Sequence, residues 1–194
     1  MDDTSALRPP ALHWLQRETK ALGFDMASEP RTGALLATLA ASKPGGRFLE
    51  LGTGTGFGTA WLLSGMDDAS RLETVDIDPE VVEVAKRYLS DDRRVTFTVM
   101  DGAEYLGEAS GKYDLVFADA WSGKFTHLDE VLALVRPGGL YVVDNLLPQP
   151  NWSAGHPDKV ASLVADLERR DAFTQVALEW ASGVRLMVRR PTGG

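Results

Sequence analysis

Two apolar stretches in this sequence end in side chains that carry oxygen atoms. Asp119 follows residues 115–118, and Asp144 and Asn145 follow residues 141–143. Such apolar runs are typical of neighbouring parallel strands covered on both faces, so their carboxyl ends meet at one edge of a sheet. Two carboxylates and an amide oxygen form a hard-oxygen ligand set that suits Mg²⁺, Ca²⁺ or Mn²⁺. The alternative is that Asp119 contacts a cofactor while Asp144 caps the next segment, and the residues alone leave both interpretations open.

A second candidate is a glycine loop, in which Gly52, Gly54 and Gly56 are spaced as G-x-G-x-G. Glycine allows a sharp turn and lets a ligand lie against the main chain, although a tight strand-to-helix turn would use the same residues. The dinucleotide fingerprint G-x-G-x-x-G is absent, because Phe57 stands at the third-glycine position counted from Gly52, and Thr59 stands there counted from Gly54. The spacing therefore argues against a dinucleotide-phosphate cradle.

An acidic residue follows the glycine loop at a position suited to binding a ribose. Asp76 lies twenty residues past Gly56, at the end of the next predicted strand. Its two oxygens can accept both hydroxyl hydrogens of an adenosine ribose. Asp78 is the weaker candidate because, followed by Pro79, it suits the cap of a helix. The alternative is that both are solvated loop acids.

Strand and helix patterns alternate along the chain, and a short turn separates the last two strands. This order predicts a three-layer α/β sandwich, with a mostly parallel sheet, helices on both faces and a C-terminal antiparallel β-hairpin. The predicted strands cover residues 47–51, 71–75, 95–99, 113–118, 140–143, 173–178 and 184–188. The predicted helices cover residues 11–22, 32–41 and 59–64, then begin at Pro79, at Leu128 (extending to Val135) and at Val160.

Composition narrows the class of protein. The 194 residues suffice for one domain, and the net charge of −8 opposes the phosphate contacts that dominate nucleic-acid affinity, so a small-molecule substrate is favoured over nucleic acid. Charged residues keep every apolar stretch shorter than the roughly 18 residues that span a membrane. The absence of cysteine excludes disulfides, thiolate metal sites and cysteine nucleophiles. An acidic N-terminus without the order of a signal peptide predicts a cytoplasmic protein.

The glycine loop and the acid after it carry a family resemblance. Residues 48–56, Phe-Leu-Glu-Leu-Gly-Thr-Gly-Thr-Gly, resemble motif I of the Rossmann-fold methyltransferases that use S-adenosylmethionine (SAM). Residues 74–79, Thr-Val-Asp-Ile-Asp-Pro, are similar to the acidic motif of those enzymes. The resemblance implies a Rossmann-like fold with SAM as cofactor, held at its methionine end, its ribose and its adenine. The implied cofactor-binding residues are Glu50, Gly52, Thr53, Gly54, Gly56, Asp76, Asp101, Gly102, Ala103 and Asp119.

The oxygen-bearing strand ends carry a second, narrower resemblance. Residues 116–121, Val-Phe-Ala-Asp-Ala-Trp, and 142–145, Val-Val-Asp-Asn, resemble the two metal motifs of the catechol and caffeoyl-coenzyme A O-methyltransferase family. The resemblance implies that Asp119, Asp144 and Asn145 hold a divalent cation, Mg²⁺ first and Ca²⁺ or Mn²⁺ as alternatives. Such a cation stabilises the oxyanion of a hydroxyl acceptor and orients it toward the sulfonium methyl group.

Two positions depart from that family. The family's catalytic lysine falls on Ser122, and Lys124 lies two residues further on, after Gly123, which would let it turn inward. Lys124 and Asp119 are therefore the catalytic candidates. The alternative for Lys124 is that it is an ordinary surface lysine. A late glutamate of the catechol enzymes falls loosely on Arg185, which argues against a catechol and leaves room for an anionic substrate.

The leading hypothesis is a divalent-metal-dependent O-methyltransferase of a small hydroxylated molecule. The alternatives are a metal-independent small-molecule N- or O-methyltransferase, with Lys124 or His156 as base, and a SAM-binding module without catalysis. We expect one methyltransferase domain over residues 1–194, in which N-terminal helices of residues 1–45 cover the site and residues 46–194 form the Rossmann-like core. The sequence leaves open whether the N-terminal helix covers the site or forms a homodimer contact.

Overall fold

The computed structural model describes residues 8–191, and a seven-stranded sheet forms its centre. The strands are β1 (Arg47–Leu51), β2 (Arg71–Asp76), β3 (Val95–Val99), β4 (Tyr113–Ala118), β5 (Val135–Val143), β6 (Phe173–Leu178) and β7 (Val184–Arg189). Their order across the sheet is β3-β2-β1-β4-β5-β7-β6. The first five strands pair in parallel, and β7 pairs antiparallel with both β5 and β6. The predicted α/β fold with a C-terminal hairpin is confirmed.

Seven helices in residues 8–191 cover the two faces of the sheet. They are α1 (Leu12–Leu22), α2 (Pro30–Ala41), α3 (Phe57–Gly65), α4 (Pro79–Leu89), α5 (Gly102–Glu108), α6 (Leu128–Leu134) and α7 (His156–Glu168). Helices α1 to α4 share one apolar core with one face of the sheet, and α5 to α7 share a second core with the other. Successive strand residues alternate between these cores, as Phe48 and Leu49 do. None of these helices is long and apolar enough to cross a membrane.

Two elements differ from the sequence-based expectation. Val135 opens β5 instead of ending α6, because it pairs with Tyr113 and a register shift then precedes the pairing of Leu115 with Leu140. Burial of both Val135 and Tyr113 explains why the strand starts so early. Helix α5 was not predicted at all, since it is only seven residues long and contains two glycines, which disfavour helix.

The strand order reverses direction between β1 and β4, and this reversal places the candidate residues. From β1 the chain moves outward to β2 and β3, then returns to build β4 and β5 on the other side of β1. Parallel strands present their carboxyl ends at one edge, and open α/β sheets bind ligands at that edge where the order reverses. The predicted site residues lie at the carboxyl ends of β1 to β5 or in the segments that follow them, so all of them lie along this edge.

A buried carboxyl group holds three elements together beside the reversal. Glu50 in β1 has no exposed surface, and its Oε2 accepts hydrogen bonds from Thr59 Oγ1 of α3 and from Thr74 Oγ1 of β2, the latter at 2.7 Å. Burial raises the pKa of Glu50 to about 7, although the two hydroxyl donors oppose this change. The glycine loop begins directly after β1, so Glu50 fixes the position from which the loop departs.

Helices α2 and α3 approach closely because glycines face the neighbouring helix. A Cβ atom at Gly65 would lie 2.0 Å from the backbone oxygen of Ala37, and one at Gly33 would lie 2.1 Å from Trp61 Cδ1. Trp61 itself is almost fully buried in the core that α2 and α3 share. The close approach therefore depends on the absence of these two side chains.

Replacing Gly65 by alanine should destabilise the fold, because the new methyl group overlaps a backbone atom that cannot move alone. We expect Gly65→Ala to lower the free energy of unfolding by about 3 kcal/mol. Gly107→Ala in α5 is the matched control, since a Cβ there meets nothing within 4 Å. Alanine favours helix, so the control should be neutral or more stable by up to about 1 kcal/mol. Urea denaturation measures both, and equal stability of the two variants would contradict the packing described.

Glu50 should make stability depend on pH. Between pH 4.5, its ordinary pKa, and about 7, the folded chain keeps the Glu50 proton that the unfolded chain releases. The free energy of unfolding should therefore fall by about 3 kcal/mol as pH rises through this window, at roughly 1.4 kcal/mol per unit of pKa shift. Denaturation of wild type and Glu50→Gln at pH 5 and pH 7.5 tests this, because glutamine removes the titration. Identical pH dependence in the two proteins would contradict the prediction.

Candidate active site

The glycine loop after β1 adopts a conformation that requires glycine. Gly52, Gly54 and Gly56 have φ of 100°, 50° and 92°, all in the left-handed region that other residues avoid. A Cβ atom at Gly52 would also lie 2.6 Å from the backbone oxygen of Asp119. The loop thus runs against the end of β4, and its exposed main chain is open to close approach by a ligand.

Asp76, at the end of β2, braces this loop. Its Oδ2 accepts the backbone N–H of Gly54 at 2.8 Å, and its Oδ1 accepts the backbone N–H of Asp78 at 3.0 Å. A carboxylate offers about four acceptor positions, so both oxygens can still accept hydrogen bonds from a ligand. Asp78 caps α4 by accepting the N–H of Glu80 at 2.9 Å, which confirms its predicted role as a helix cap.

Two predicted cofactor residues lie beneath the loop, with their side chains turned into the protein. Thr53 is buried, and its hydroxyl shares a 2.7 Å hydrogen bond with Thr74, which is also a donor to Glu50. Glu50 Oε1 has no partner and lies 2.2 Å from where a Cβ of Gly58 would be. These contacts shape the loop from below, and only the backbone of Thr53 is available to a ligand above it. Thr74 belongs to the acidic motif, but no local pattern predicts its bonds to Thr53 and Glu50.

The segment after β3 places a helix start at the same edge. Asp101 caps α5, accepting the N–H groups of Ala103 at 2.8 Å and Glu104 at 3.3 Å. A Cβ at Gly102 would lie 2.8 Å from Ser122 Cβ, so the start of α5 meets the loop that follows β4. The sheet order places Asp101, Gly102 and Ala103 beside the end of β2, and the approach of Gly102 to Ser122 brings them to the loop after β4.

Asp119 and Asp144 are brought together by the pairing of β4 with β5. Ala118 pairs with Val143, and each acid is the next residue along its strand. Burial and the charge of Asp144 raise the pKa of Asp119 well above its ordinary value, and burial raises the pKa of Asp144. Asp119 Oδ2 accepts a 3.1 Å hydrogen bond from Ser28, whereas Asp144 Oδ1 is buried without a partner.

Lys124 lies against this carboxylate pair. Gly123 has φ of 83°, and the turn directs Lys124 inward, so that only 4% of the lysine is exposed. Its Nζ donates a 2.7 Å hydrogen bond to the backbone oxygen of Asp144. The positive charge of Lys124 acts on Asp119 and Asp144 to lower their pKa values, in opposition to burial. A surface role for Lys124 is therefore wrong.

Asn145 is the third residue of the predicted ligand set, and both its backbone and its side-chain amide are held by hydrogen bonds. Its φ is 57°, its backbone N–H donates to Ser182 Oγ at 3.3 Å, and its Oδ1 accepts the indole N–H of Trp152 at 3.2 Å. The amide oxygen keeps a second lone pair. Across residues 8–191 no three side chains of His, Asp or Glu form a metal-binding group, so Asn145 would have to supply the third ligand.

An aromatic cluster adjoins the charged centre. The His156 ring, at the start of α7, lies 4.6 Å from the ring centroid of Trp152, 5.3 Å from that of Phe125 and 6.3 Å from that of Trp121. Burial lowers the pKa of His156, and the charges of Lys124 and Lys159 lower it further, so its imidazole is neutral near pH 7. Trp152 anchors segment 148–155 through its ring contact with His156 and its hydrogen bond to Asn145.

Arg185 does not face this site. Its guanidinium group is buried and donates to Gln175 Oε1 at 2.8 Å and to Glu168 Oε1 at 3.3 Å, so it ties β7 to β6 and to α7. Two nitrogens of its guanidinium group bond to protein partners, whereas its buried Nε has none, and an anionic substrate stays a prediction.

The N-terminal segment lies over the glycine loop. Thr19 of α1 shares a 2.8 Å hydrogen bond with Thr55, and Phe24 lies 3.4 Å from where a Cβ of Gly54 would be. Ser28 then reaches Asp119, as described above. The chain before β1 therefore contacts both the glycine loop and the carboxylate pair.

Comparison with known proteins assigns a family. A family model described as O-methyltransferase matches residues 2–175. A curated relative from Mycolicibacterium vanbaalenii, named provisionally as an O-methyltransferase, is 37% identical over 125 residues. That match covers 60% of this chain and 54% of the relative, so the chain spans about half the length of the curated relatives it matches.

Solved structures share the fold over nearly the whole chain. Cofactor-bound Rv0187 from MTB is 25% identical, with a TM-score of 0.85 over 98% of this chain and 94% of that one. The O-methyltransferase TomG from Streptomyces achromogenes, solved in complex with SAM, is 23% identical, with a TM-score of 0.80 over 95% of this chain and 92% of its own. With the family model matching most of its length, the chain belongs to the O-methyltransferase family.

Proposed function

We propose that this chain transfers the methyl group of SAM to a hydroxyl oxygen of a small molecule, with a divalent cation at the carboxylate pair. The observation that carries the proposal is the buried group of Asp119, Asp144 and Lys124, next to the glycine loop where the strand order reverses. Family membership and the SAM complex of TomG support it. Residues 1–194 would act as one methyltransferase domain, and the net charge of −8 favours a small acceptor over nucleic acid.

SAM is assigned to the groove along the carboxyl edge. The main chain of Gly52, Thr53, Gly54 and Gly56 would face its methionine and sulfonium portion, with Glu50 supporting the loop from below. Asp76 would accept its ribose hydroxyls with the lone pairs that Gly54 and Asp78 leave free. Its adenine would lie near the start of α5, which comprises Asp101, Gly102 and Ala103.

The donor set fits a hard divalent cation. Asp144 Oδ1 is a buried acceptor without a partner. Asp119 lies close enough to Asp144 that ionising both carboxyl groups is unfavourable without a nearby positive charge. Asn145 offers a lone pair while the indole of Trp152 fixes the orientation of its amide, the kind of outer contact that tunes metal ligands. Asp119, Asp144 and Asn145 would hold Mg²⁺, or Ca²⁺ or Mn²⁺, which when bound stabilises an acceptor oxyanion.

The residues of the chain then orient the reactants and handle one proton. In the transfer, the bond from sulfur to the methyl carbon breaks, its electron pair returns to sulfur, and the acceptor oxygen bonds that carbon. The proton of the acceptor hydroxyl goes to a group of the site, and Lys124 and Asp119 are the two proposed acceptors. Burial and the charge of Asp144 raise the pKa of Asp119, which makes this carboxylate a better proton acceptor than an ordinary aspartate. Lys124, when charged, stabilises negative charge on the acceptor oxygen.

A metal-independent methyltransferase is the second candidate, and the position of Lys124 favours it specifically. The buried ammonium already supplies a positive charge beside both carboxylates, which is the electrostatic role assigned above to the cation. Under this alternative, Lys124 alone would stabilise the acceptor oxygen, and its bond to the backbone oxygen of Asp144 would hold it in place.

Asp76 should determine cofactor affinity. Asp76→Asn removes the charge that strengthens hydrogen bonds to a ribose, so we expect the affinity for S-adenosylhomocysteine to fall about tenfold or more. Asp78→Ser is the control, because serine also caps helices and Asp78 makes no contact with the loop. Titration calorimetry compares the two. An Asp76→Asn variant that binds as tightly as wild type would remove Asp76 from the ribose site.

The carboxylate pair should determine turnover without determining cofactor affinity. With radiolabelled SAM and a panel of small hydroxylated acceptors, EDTA should abolish methyl transfer and added Mg²⁺ should restore it. Asp144→Asn should lower turnover about a hundredfold and leave affinity for S-adenosylhomocysteine within about twofold, since metal sites depend strongly on each ligand. Asp91→Asn, an exposed surface change, is the control.

The outcomes of this experiment separate the candidate functions. Turnover that persists in EDTA and in Asp144→Asn assigns the metal-independent mechanism. Cofactor binding without any methylated product from the panel or from a metabolite extract indicates a SAM-binding module instead.

A further inference from the structure

A cavity of about 320 Å³ opens at the amino edge of the sheet, opposite the candidate active site, where β6 begins and β7 ends. Phe173 and Arg189, which pair across these two strands, form part of its wall. Arg189 also bonds to Val135, which opens β5, whereas Asp144 follows the other end of β5. At about 3.3 Å per residue, the nine residues of β5 place the cavity roughly 25 Å from the carboxylate pair. A small ligand in this cavity therefore does not reach the candidate active site.

Basic side chains surround this cavity, although the chain carries a net charge of −8. Arg169, Arg170 and Arg189 line it. Lys112 adds a fourth cation, because it donates a hydrogen bond to the backbone oxygen of Ala133, which also lines the cavity. A concentration of positive charge on an otherwise acidic protein attracts anions to that place.

One carboxylate holds two of these arginines in position. Arg169 Nη2 and Arg170 Nη2 each donate to one oxygen of Asp166, both at 3.1 Å. Arg170 Nη1 also pairs with Asp129, whereas its Nε is buried without a partner. Asp171 lines the cavity as well. The carboxylates thus orient the arginines, and they remain fewer than the cations around the cavity.

Arg189 forms no ion pair within residues 8–191. Its Nη1 donates to the backbone oxygens of Leu132 and Val135, both at 3.0 Å, beside the end of α6. In the described part of the chain, its Nη2 and Nε donate no hydrogen bond. A guanidinium group is planar, so the bonds of Nη1 also fix the plane in which Nη2 and Nε can bind an anion. Arg189 is therefore an oriented cation with two donors available to a ligand.

Apolar side chains make up the rest of the wall, and they are Leu132, Ala133, Ala172 and Phe173. Small-molecule sites combine such apolar surface with a few oriented polar groups, and their volumes begin at about 300 Å³. A wall of this kind fits a small ligand in which an anionic group is joined to an apolar part.

We propose that this cavity binds a small molecule that carries a phosphate group on an apolar part, and that Arg169 and Arg189 bind the phosphate. A phosphate monoester has three free oxygens and about two negative charges at pH 7, so it accepts charge-assisted hydrogen bonds from more than one arginine. The apolar part lies against Leu132 and Phe173. This binding is independent of methyl transfer, because it uses neither the glycine loop nor the carboxylate pair.

Titration calorimetry with phenyl phosphate tests the proposal on protein saturated with S-adenosylhomocysteine. We expect phenyl phosphate to bind about tenfold more tightly than inorganic phosphate, because only the ester buries an apolar ring. Arg169→Gln and Arg189→Gln should each weaken its binding about tenfold, as is typical when a charge-assisted hydrogen bond is lost. Lys159→Gln is the matched control, because this exposed lysine lies at the opposite end of α7 from Arg169 and should not affect binding.

Circular dichroism and thermal unfolding accompany each titration, because Arg189 also bonds to the chain around the end of α6. Arg169→Gln loses only the pair with Asp166, so it provides the test if Arg189→Gln does not fold.

Three outcomes overturn the proposal. The first is an absence of phenyl phosphate binding at concentrations up to about 10 mM. The second is unchanged affinity in the folded arginine variants, or an equal loss of affinity in Lys159→Gln, which places the ligand at the candidate active site instead. The third is equal affinity for inorganic phosphate and phenyl phosphate, which refutes the apolar contact and with it the class of ligand.

Discussion

Strand pairing brings two carboxyl groups together at the carboxyl edge of the sheet. Ionising both of them in a buried setting is unfavourable, and several neighbouring groups reduce this unfavourable free energy. The pairing of Ala118 with Val143 leaves Asp119 and Asp144 as neighbours wherever β4 and β5 are parallel. Burial raises the pKa values of both acids, and the charge of Asp144 raises that of Asp119 further. The structure offsets part of this cost with Lys124, turned inward at Gly123, and with the hydroxyl of Ser28.

The glycine loop keeps one fixed backbone shape while its outer main chain stays accessible to a ligand. Three glycines with left-handed backbone conformations define this shape, and polar side chains below and beside the loop hold it in position. Glu50 joins β1 to α3 and β2, and Asp76 accepts the N–H of Gly54. Because these carboxyl groups bond to protein from below and from the side, the upper face of the loop is left to Phe24 and to a ligand.

The parts of this arrangement that follow from local patterns could be predicted from the sequence. Strand and helix periodicity gave β1, β3, β4 and β6 at the bounds observed, and the pair Asp78-Pro79 gave the start of α4. Long-range partners could not be predicted in this way. The bonds of Arg185 to Gln175 and Glu168 depend on how β6, β7 and α7 pack. The hydrogen bond from Ser28 to Asp119 joins residues 91 positions apart, and no local pattern encodes it.

Charge balance distinguishes the two proposed ways of stabilising the acceptor oxygen. With both acids ionised and Lys124 charged, the buried group carries one net negative charge, and an acceptor oxyanion would make it two. A dication held by Asp119, Asp144 and Asn145 brings this sum to zero, whereas Lys124 alone reaches one net negative charge only if one carboxyl group keeps a proton. Burial and the charge of Asp144 raise the pKa of Asp119, which favours that protonated state. Because burying net charge is costly, the metal-bound arrangement is favoured at the higher pH where both acids ionise, and the lysine arrangement at lower pH.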